Sequence, residues 1–90
     1  MIVILNFGGQ FCHLISKTLR RLGFYTEIVP YNATTSAITE FNPRGIILSG
    51  GPSSVYEENA PKCDPTIFNL GIPILGICYG MQLIAHMNGG

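Results

Sequence analysis

The sequence predicts an α/β fold in which a parallel sheet is covered by helices on both faces. Four short apolar runs have the length of buried strands, and segments with helical spacing lie between them. Strands that alternate with helices imply crossover connections and parallel pairing. We therefore expect a flavodoxin-like sheet with the strand order 2-1-3-4.

The elements are expected in the order β-α-β-α-β-α-β-α, each bounded by Gly, Pro or Asn. Strands are predicted at residues 2–5, 24–29, 45–48 and 72–77, and helices at 10–22, 35–41, 64–70 and 81–87. Gly23 is expected to end the first helix in a left-handed conformation, and Pro30 to end the second strand. Thr34 or Thr35 is expected to cap the second helix, and Asp64 the third.

Composition excludes several function classes. A chain of 90 residues with 47% apolar and 11% charged residues predicts one small globular domain. The formal net charge is zero, which removes the electrostatic case for nucleic acid or an anionic membrane. No apolar run approaches the length of a membrane span. The three cysteines include no C-x-x-C pair, which argues against a metal site and a disulfide framework and predicts a cytoplasmic location.

The segment Gly76-Ile77-Cys78-Tyr79-Gly80 directly follows an apolar run and precedes helix-forming residues. This pattern is typical of a nucleophile elbow, with Cys in the place of Ser. The thiol of Cys78 would then lie at a helix N-terminus, where unpaired N–H groups and the helix dipole favour the thiolate. The alternative is a Cys buried in a tight strand-to-helix turn as a small apolar residue.

A thiolate that attacks a carbonyl carbon needs two donors for the oxyanion that develops. In an elbow, one donor is the backbone N–H of the residue after the nucleophile, here Tyr79. The turn Ser49-Gly50-Gly51-Pro52 follows another predicted strand, and the Gly51 N–H is the second candidate donor. Because the carboxyl ends of parallel strands meet at one edge, we expect both turns and the loop after the first strand to converge there.

These two motifs, with Met81-Gln82 after the elbow and the opening Ile4-Leu5-Asn6-Phe7-Gly8-Gly9-Gln10, resemble the class I glutamine amidotransferase family. Within that family the pattern is similar to the amidotransferase domain of glutamine-hydrolysing GMP synthases. Asn6 and Gly9 depart from the usual Asp and Ser of that opening. The resemblance covers nearly all 90 residues, so residues 1–90 are expected to be the N-terminal part of the family's domain.

The resemblance implies that Cys78 attacks the side-chain amide of glutamine and forms a glutamyl thioester. It also implies that the Gly51 and Tyr79 N–H groups bind the oxyanion and that Gln82 binds substrate. Ammonia would pass to an ATP-using synthetase domain or subunit that aminates XMP to GMP, so ATP and Mg²⁺ are implied for that partner and no cofactor for this chain.

The family also uses a His-x-Glu pair downstream of the Cys, which the 90 residues do not contain. The histidines are His13 and His86. His86 lies eight residues along the elbow helix, about 12 Å from Cys78 at the standard rise, and is out of reach. His13 is expected on a helix surface. We therefore expect the 90 residues alone to have little or no glutaminase activity.

Three alternatives stay open at this point. The chain could be a non-catalytic docking domain, an amidotransferase subunit of another synthase, or a fragment of a Cys-dependent α/β hydrolase, which usually has antiparallel strands before its parallel sheet. If the fourth strand is an edge, its unpaired backbone groups predict association through that edge.

Overall fold

A computed structural model gives the fold, and it describes residues 1–8, 11–50, 65–77, 84 and 87. The elements are β1 (Ile2–Asn6), α1 (Phe11–Arg21), β2 (Thr26–Pro30), α2 (Thr35–Glu40), β3 (Gly45–Ser49), a 3₁₀ helix (Pro65–Asn69) and β4 (Ile74–Ile77). Ile84 and Met87 are also helical, which confirms the predicted final helix at those two positions. The helix cap predicted at Asp64 lies outside the described residues.

The four strands form one parallel sheet in the order β2-β1-β3-β4, as predicted. β1 lies inside the sheet, and its Val3, Ile4 and Leu5 side chains are fully buried. A strand covered on both faces needs apolar side chains on both, which explains the unbroken apolar run at the start of the sequence.

Alternate residues of each strand contribute to two core layers. The larger layer, here called the α2 face, contains Val3, Leu5, Phe7, Ile38, Ile46, Leu48 and Ile67, with Ile84 and Met87 packed against it. The opposite layer, here called the α1 face, contains Ile4, Cys12 and Ile47, with Ile15, Leu19, Ile28 and Ile77 packed against it. Neighbouring residues in the sequence therefore serve opposite faces.

The helix ends confirm two predictions made from single residues. Gly23 has a φ of 96°, its N–H donates to Arg20 O at 3.0 Å, and Phe24 N–H donates to Leu19 O at 2.9 Å. This pair of bonds is a Schellman motif, which needs a left-handed residue at the Gly23 position. At α2, the Thr34 hydroxyl accepts a bond from Ala37 N–H at 3.2 Å, so Thr34 is the N-cap.

Most element boundaries differ from the prediction by one or two residues, and prolines explain two of these differences. Pro30 is the last residue of β2 and not the residue after it. β2 is an edge strand of the described sheet, and an edge strand tolerates a residue without an N–H. β4 begins at Ile74 rather than at Ile72, because Pro73 has no N–H and joins the sheet only through its carbonyl, which accepts from Ile46 N–H at 2.9 Å. The third helix is a single 3₁₀ segment, followed by the left-handed Gly71 (φ 73°).

Candidate active site at the carboxyl edge of the sheet

Three strands end side by side at the carboxyl edge of the sheet. Ser49 of β3 pairs with Asn6 of β1 on one side and with Ile77 of β4 on the other. These are the last residues of their strands. The segments that follow therefore leave from neighbouring points on one edge, as the sequence predicted, and this edge is where ligands bind in open α/β sheets.

The four predicted site residues, Cys78, Gly51, Tyr79 and Gln82, lie outside the described residues. The described chain ends next to two of them: Ile77 directly precedes Cys78, and the buried Gly50 directly precedes Gly51. Because Ile77 and Ser49 are paired, the residues that precede the candidate nucleophile and one candidate oxyanion donor lie on adjacent strands. Their roles stay predictions.

Two hydrogen bonds hold the residues that directly follow β1 at this edge. Gly8 N–H donates to the Asn6 side-chain oxygen at 2.8 Å, and Gly8 has a φ of 111°. Phe7 N–H donates to Ser49 O at 3.3 Å. The Phe7 ring is nearly fully buried and packs against Tyr31, with ring centroids 5.8 Å apart. An Asp at position 6 would offer the same oxygen acceptor, so Asn6 preserves this turn although it departs from the family's usual residue.

Ser49 is the polar residue at this edge that the sequence analysis did not single out. Its side chain is fully buried (0% exposed), and its Oγ has no hydrogen-bond partner among the described residues. By strand alternation it lies on the same face as Ile47, the α1 face. The available signal was a hydroxyl residue that ends a buried apolar strand directly before a Gly-Gly turn.

Two other grooves on the described surface are lined mainly by apolar side chains. One of about 360 Å³ lies between α1 and the strands, lined by Leu14, Ile15, Thr18, Leu19, Ile47, Leu75 and Ile77. The other, of about 320 Å³, lies at the amino end of the sheet, lined mainly by apolar side chains with Arg44 beside them. Substrate sites combine apolar walls with convergent polar groups, so the carboxyl edge remains the candidate site.

The two histidines do not alter this assignment. His13 is exposed near the start of α1, as predicted, and His86 lies outside the described residues. Cys12 is fully buried on the α1 face, where it packs as a small apolar residue.

Within the part of the chain that the structure describes, no group of three or more His, Cys, Asp or Glu side chains is arranged to bind a metal ion. No helix in the same part is long and apolar enough to cross a bilayer.

Comparison with known proteins is consistent with this arrangement. The family model described as "Glutamine amidotransferase class-I" matches residues 3–90. A protein from Ruminiclostridium cellulolyticum and one from Thermosynechococcus vestitus, both named GMP synthase [glutamine-hydrolyzing], are each 56% identical over 90 residues. These alignments include 100% of this chain but only 18% and 17% of those proteins, so the chain spans less than a fifth of their length.

A solved structure has the same fold. It is a Thermoplasma acidophilum protein described as a "putative gmp synthase subunit a protein", with a TM-score of 0.80 and 35% sequence identity. The match covers 98% of this chain and 44% of that one. Since the family model spans almost all of the 90 residues and the fold agrees, the chain belongs to the class I glutamine amidotransferase family.

Proposed function

We propose that residues 1–90 are the N-terminal part of the glutamine amidotransferase domain of a GMP synthase and that Cys78 is its nucleophile. The observation that carries the proposal is the register of Asn6, Ser49 and Ile77, which ends three strands at one edge directly before the Gly51 turn and Cys78. The family match and the names of the similar proteins support the substrate, glutamine.

The proposed reaction begins when Cys78 Sγ attacks the side-chain carbonyl carbon of glutamine. The tetrahedral intermediate carries an oxyanion, which accepts bonds from the Gly51 and Tyr79 N–H groups; losing one such donor typically lowers kcat by about 10² to 10³. The C–N bond then breaks, ammonia leaves with an added proton, and water hydrolyses the resulting thioester to glutamate. Gln82 contacts the substrate and orients it.

Protonation of the leaving nitrogen requires a general acid, which usually contributes about 10² to 10⁴ in rate. His13 is exposed on α1, and the 90 residues contain no His-x-Glu pair. We therefore propose that the 90 residues alone form the thioester slowly, and that efficient turnover requires the family's His-x-Glu pair.

The ammonia is proposed to serve an ATP- and Mg²⁺-dependent synthetase domain or subunit that converts XMP to GMP. The similar bacterial proteins are more than five times as long as the matched segment, and the archaeal neighbour is described as a subunit. Both descriptions are consistent with a synthetase domain or subunit as the partner. The cysteine pattern, with Cys12 free and buried, supports a cytoplasmic location.

The test is alkylation by a chloromethyl ketone analogue of glutamine, in which a thiolate displaces chloride. Cys78 is expected to react much faster than Cys63, and free glutamine is expected to slow the reaction at Cys78 alone. Cys12 is fully buried in the folded chain and is therefore protected from the reagent. Its alkylation rate is measured in the unfolded chain. Equal rates at Cys78 and Cys63, with no protection by glutamine, would overturn the proposal.

A docking role is the second candidate, and one observation favours it. Leu14 and Leu75 line the groove between α1 and the strands, and their side chains are 59% and 57% exposed. Leu75 belongs to β4, an edge strand of the described sheet. An apolar surface beside a strand edge is typical of a binding surface. The alkylation test separates the two functions, because docking does not require a glutamine-protected thiol.

A hydrolase fragment is less consistent with a described sheet whose strands are all parallel.

A further inference from the structure

Tyr31 is an exposed aromatic residue at the carboxyl edge of the sheet. Asn6 and Pro30 pair with each other as the last residues of β1 and β2, so Phe7 and Tyr31 are the next residues at this edge. The Tyr31 side chain is 37% exposed. The other Phe and Tyr side chains that are exposed in the described part of the chain precede β2 or β3, toward the amino end of the sheet: Phe24, Tyr25 and Phe41.

Two described contacts hold Tyr31 in place. Ala33 N–H donates to Pro30 O at 3.1 Å and closes a turn that has Tyr31 at its first central position. The Tyr31 ring packs against the nearly fully buried Phe7 ring, with centroids 5.8 Å apart and the planes inclined by 35°. A side chain that is held before binding loses little conformational freedom when a partner covers it. Tyr31 is therefore a preformed contact point.

The same contacts connect Tyr31 to the candidate active site. Phe7 N–H donates to Ser49 O at 3.3 Å, and Ser49 pairs with Ile77 at the end of β4. In the order β2-β1-β3-β4, three strand spacings of about 4.8 Å place the ends of β2 and β4 about 14 Å apart. An interface of standard size buries about 800 Å² on each partner, which is a patch roughly 30 Å across. One partner surface can therefore cover the candidate site and Tyr31 together.

The proposed chemistry requires a partner at this edge. Ammonia that reaches water at neutral pH becomes ammonium, which is not a nucleophile, so the group that consumes it has to be closed over the edge where it is released. The similar bacterial proteins provide the length for such a partner, because the 90 residues span less than a fifth of them.

We propose that Tyr31 is an anchor of the surface on which the ammonia-using synthetase domain or subunit docks, that is, a side chain that fills a pocket of the partner. An aromatic ring with a polar tip suits this contact, since Tyr is enriched at protein interfaces. The pocket of the partner is expected to be apolar or aromatic. This inference rests on the proposed function.

The experiment uses a hybrid enzyme in which residues 1–90 replace the matched segment of the Ruminiclostridium cellulolyticum GMP synthase, which is 56% identical. It measures GMP formation from glutamine, GMP formation from added ammonia, and the GMP formed per glutamate. Y31A is expected to leave the rate from ammonia unchanged and to lower the GMP formed per glutamate about twofold. Loss of an anchor weakens docking about tenfold, so a docked fraction of about nine-tenths falls to about a half and ammonia escapes.

F41A is the matched control. The Phe41 side chain is also 37% exposed, but it lies between α2 and β3, toward the amino end of the sheet. F41A is expected to leave all three quantities unchanged. Y31F retains the ring and is expected to stay close to the wild type, whereas Y31E places a charge against an apolar pocket and is expected to lower the GMP formed per glutamate at least as far as Y31A.

A photo-crosslinker at the same two positions tests the contact without relying on activity. Replacement of Tyr31 by p-benzoylphenylalanine is expected to give a covalent link to the synthetase part of the hybrid on illumination, identified by mass spectrometry. The same replacement at Phe41 is expected to give no such link.

The outcomes distinguish this inference from the proposed function. If the hybrid cannot use glutamine, or if C78A still uses it, the proposed function fails and the docking role of Tyr31 fails with it. If C78A abolishes only the use of glutamine, but Y31A matches F41A and Tyr31 gives no crosslink, the docking role fails and the proposed function stands. If Y31A lowers glutamate and GMP formation equally and Tyr31 gives no crosslink, the Tyr31–Phe7 pair is purely structural, which also overturns the docking role.

Discussion

The hydroxyl oxygens of Ser16 and Thr26 lie 2.6 Å apart, and both side chains are buried. This contact joins the middle of α1 to the first residue of β2. Arg20 extends it: Nε donates to Thr26 Oγ1 at 2.9 Å, and a terminal nitrogen donates to Thr26 O at 2.7 Å. Thr26 therefore links two side chains of α1, Ser16 and Arg20, to the edge strand β2.

Replacing Thr26 by Val should destabilise the fold by about 2 kcal/mol. Val has nearly the same shape, but it leaves the buried Ser16 hydroxyl and the Arg20 Nε–H without their partner, and an unpaired buried group costs about 1–3 kcal/mol. Urea denaturation measures the free energy of unfolding. The double variant S16A/T26V should lose less than the sum of the single variants; strict additivity would show that the two hydroxyls are not coupled.

Tyr25 should titrate above its ordinary pKa of 10.0. Glu27 raises the pKa of Tyr25, mainly because the phenol donates a 2.7 Å hydrogen bond to the carboxylate. The carboxylate also repels the phenolate, and desolvation adds to the rise. Arg20, whose guanidinium carbon lies 5.2 Å from the ring centroid, lowers the pKa and opposes these effects. Ultraviolet titration of the phenolate, with Y25F to assign the signal, measures this pKa. E27Q removes the repulsion and should move the titration to lower pH.

The same shift has a defined effect on stability. The folded state binds the Tyr25 proton more tightly than the unfolded state does, so this contribution is fully present below pH 10.0 and is lost as pH rises toward the folded-state value. Alkaline unfolding of Y25F should therefore lack this part of the decline. A Tyr25 pKa at or below 10.0 in the wild type would contradict the hydrogen bond.

Removing the Thr34 cap should destabilise α2 by about 1 kcal/mol. Thr34 Oγ1 accepts the bond of Ala37 N–H, one of the groups that a helix N-terminus leaves without a partner. T34A is therefore expected to lower the midpoint of urea unfolding, while T34S, which retains the hydroxyl, should remain close to the wild type. Equal losses in both variants would point to the methyl group of Thr34 instead of its cap.

Leu75 should govern self-association of the chain. Its side chain is 57% exposed beside Ile47 and Ile77, on the strand that ends the described sheet. L75E is expected to reduce association, measured by sedimentation, because a charge on this surface opposes its burial against a second molecule. The control is L22E, since Leu22 is 69% exposed just beyond the end of α1. Equal effects of both variants would exclude a specific contact at β4.

The sequence predicted the fold because its signals were local and consistent. Apolar runs, the left-handed Gly23 and the Thr34 cap each act within a few residues. The alternation of strands and helices predicts parallel strands, and the order 2-1-3-4 was expected because it is common in flavodoxin-like sheets. The start of β4 was predicted two residues too early, because Ile72 and Ile74 are equivalent in an apolar run. Only Ile74 pairs with β3 in the sheet. The site residues around Cys78 were predicted from glycine spacing and from the family resemblance, and their roles stay predictions.

Ser49 could not be recognised from the sequence. A Ser at a strand end is ordinary, and its significance depends on burial and on the absence of a partner among the described residues, which only three-dimensional contacts reveal. The Ser16–Thr26–Arg20 contact has the same origin, since it joins residues of two elements through side chains that each appear unremarkable. Long-range polar pairing leaves no periodic trace in a sequence.

The central claim is that Cys78 presents its sulfur to a carbonyl beside two aligned N–H groups. The most direct measurement is a crystal structure of the chain alkylated at Cys78 by the glutamine chloromethyl ketone. The account predicts that the ketone oxygen lies about 2.7–3.1 Å from both Gly51 N and Tyr79 N. A sulfur enclosed by aliphatic side chains, or a Gly51 N–H directed away from that oxygen, would contradict it.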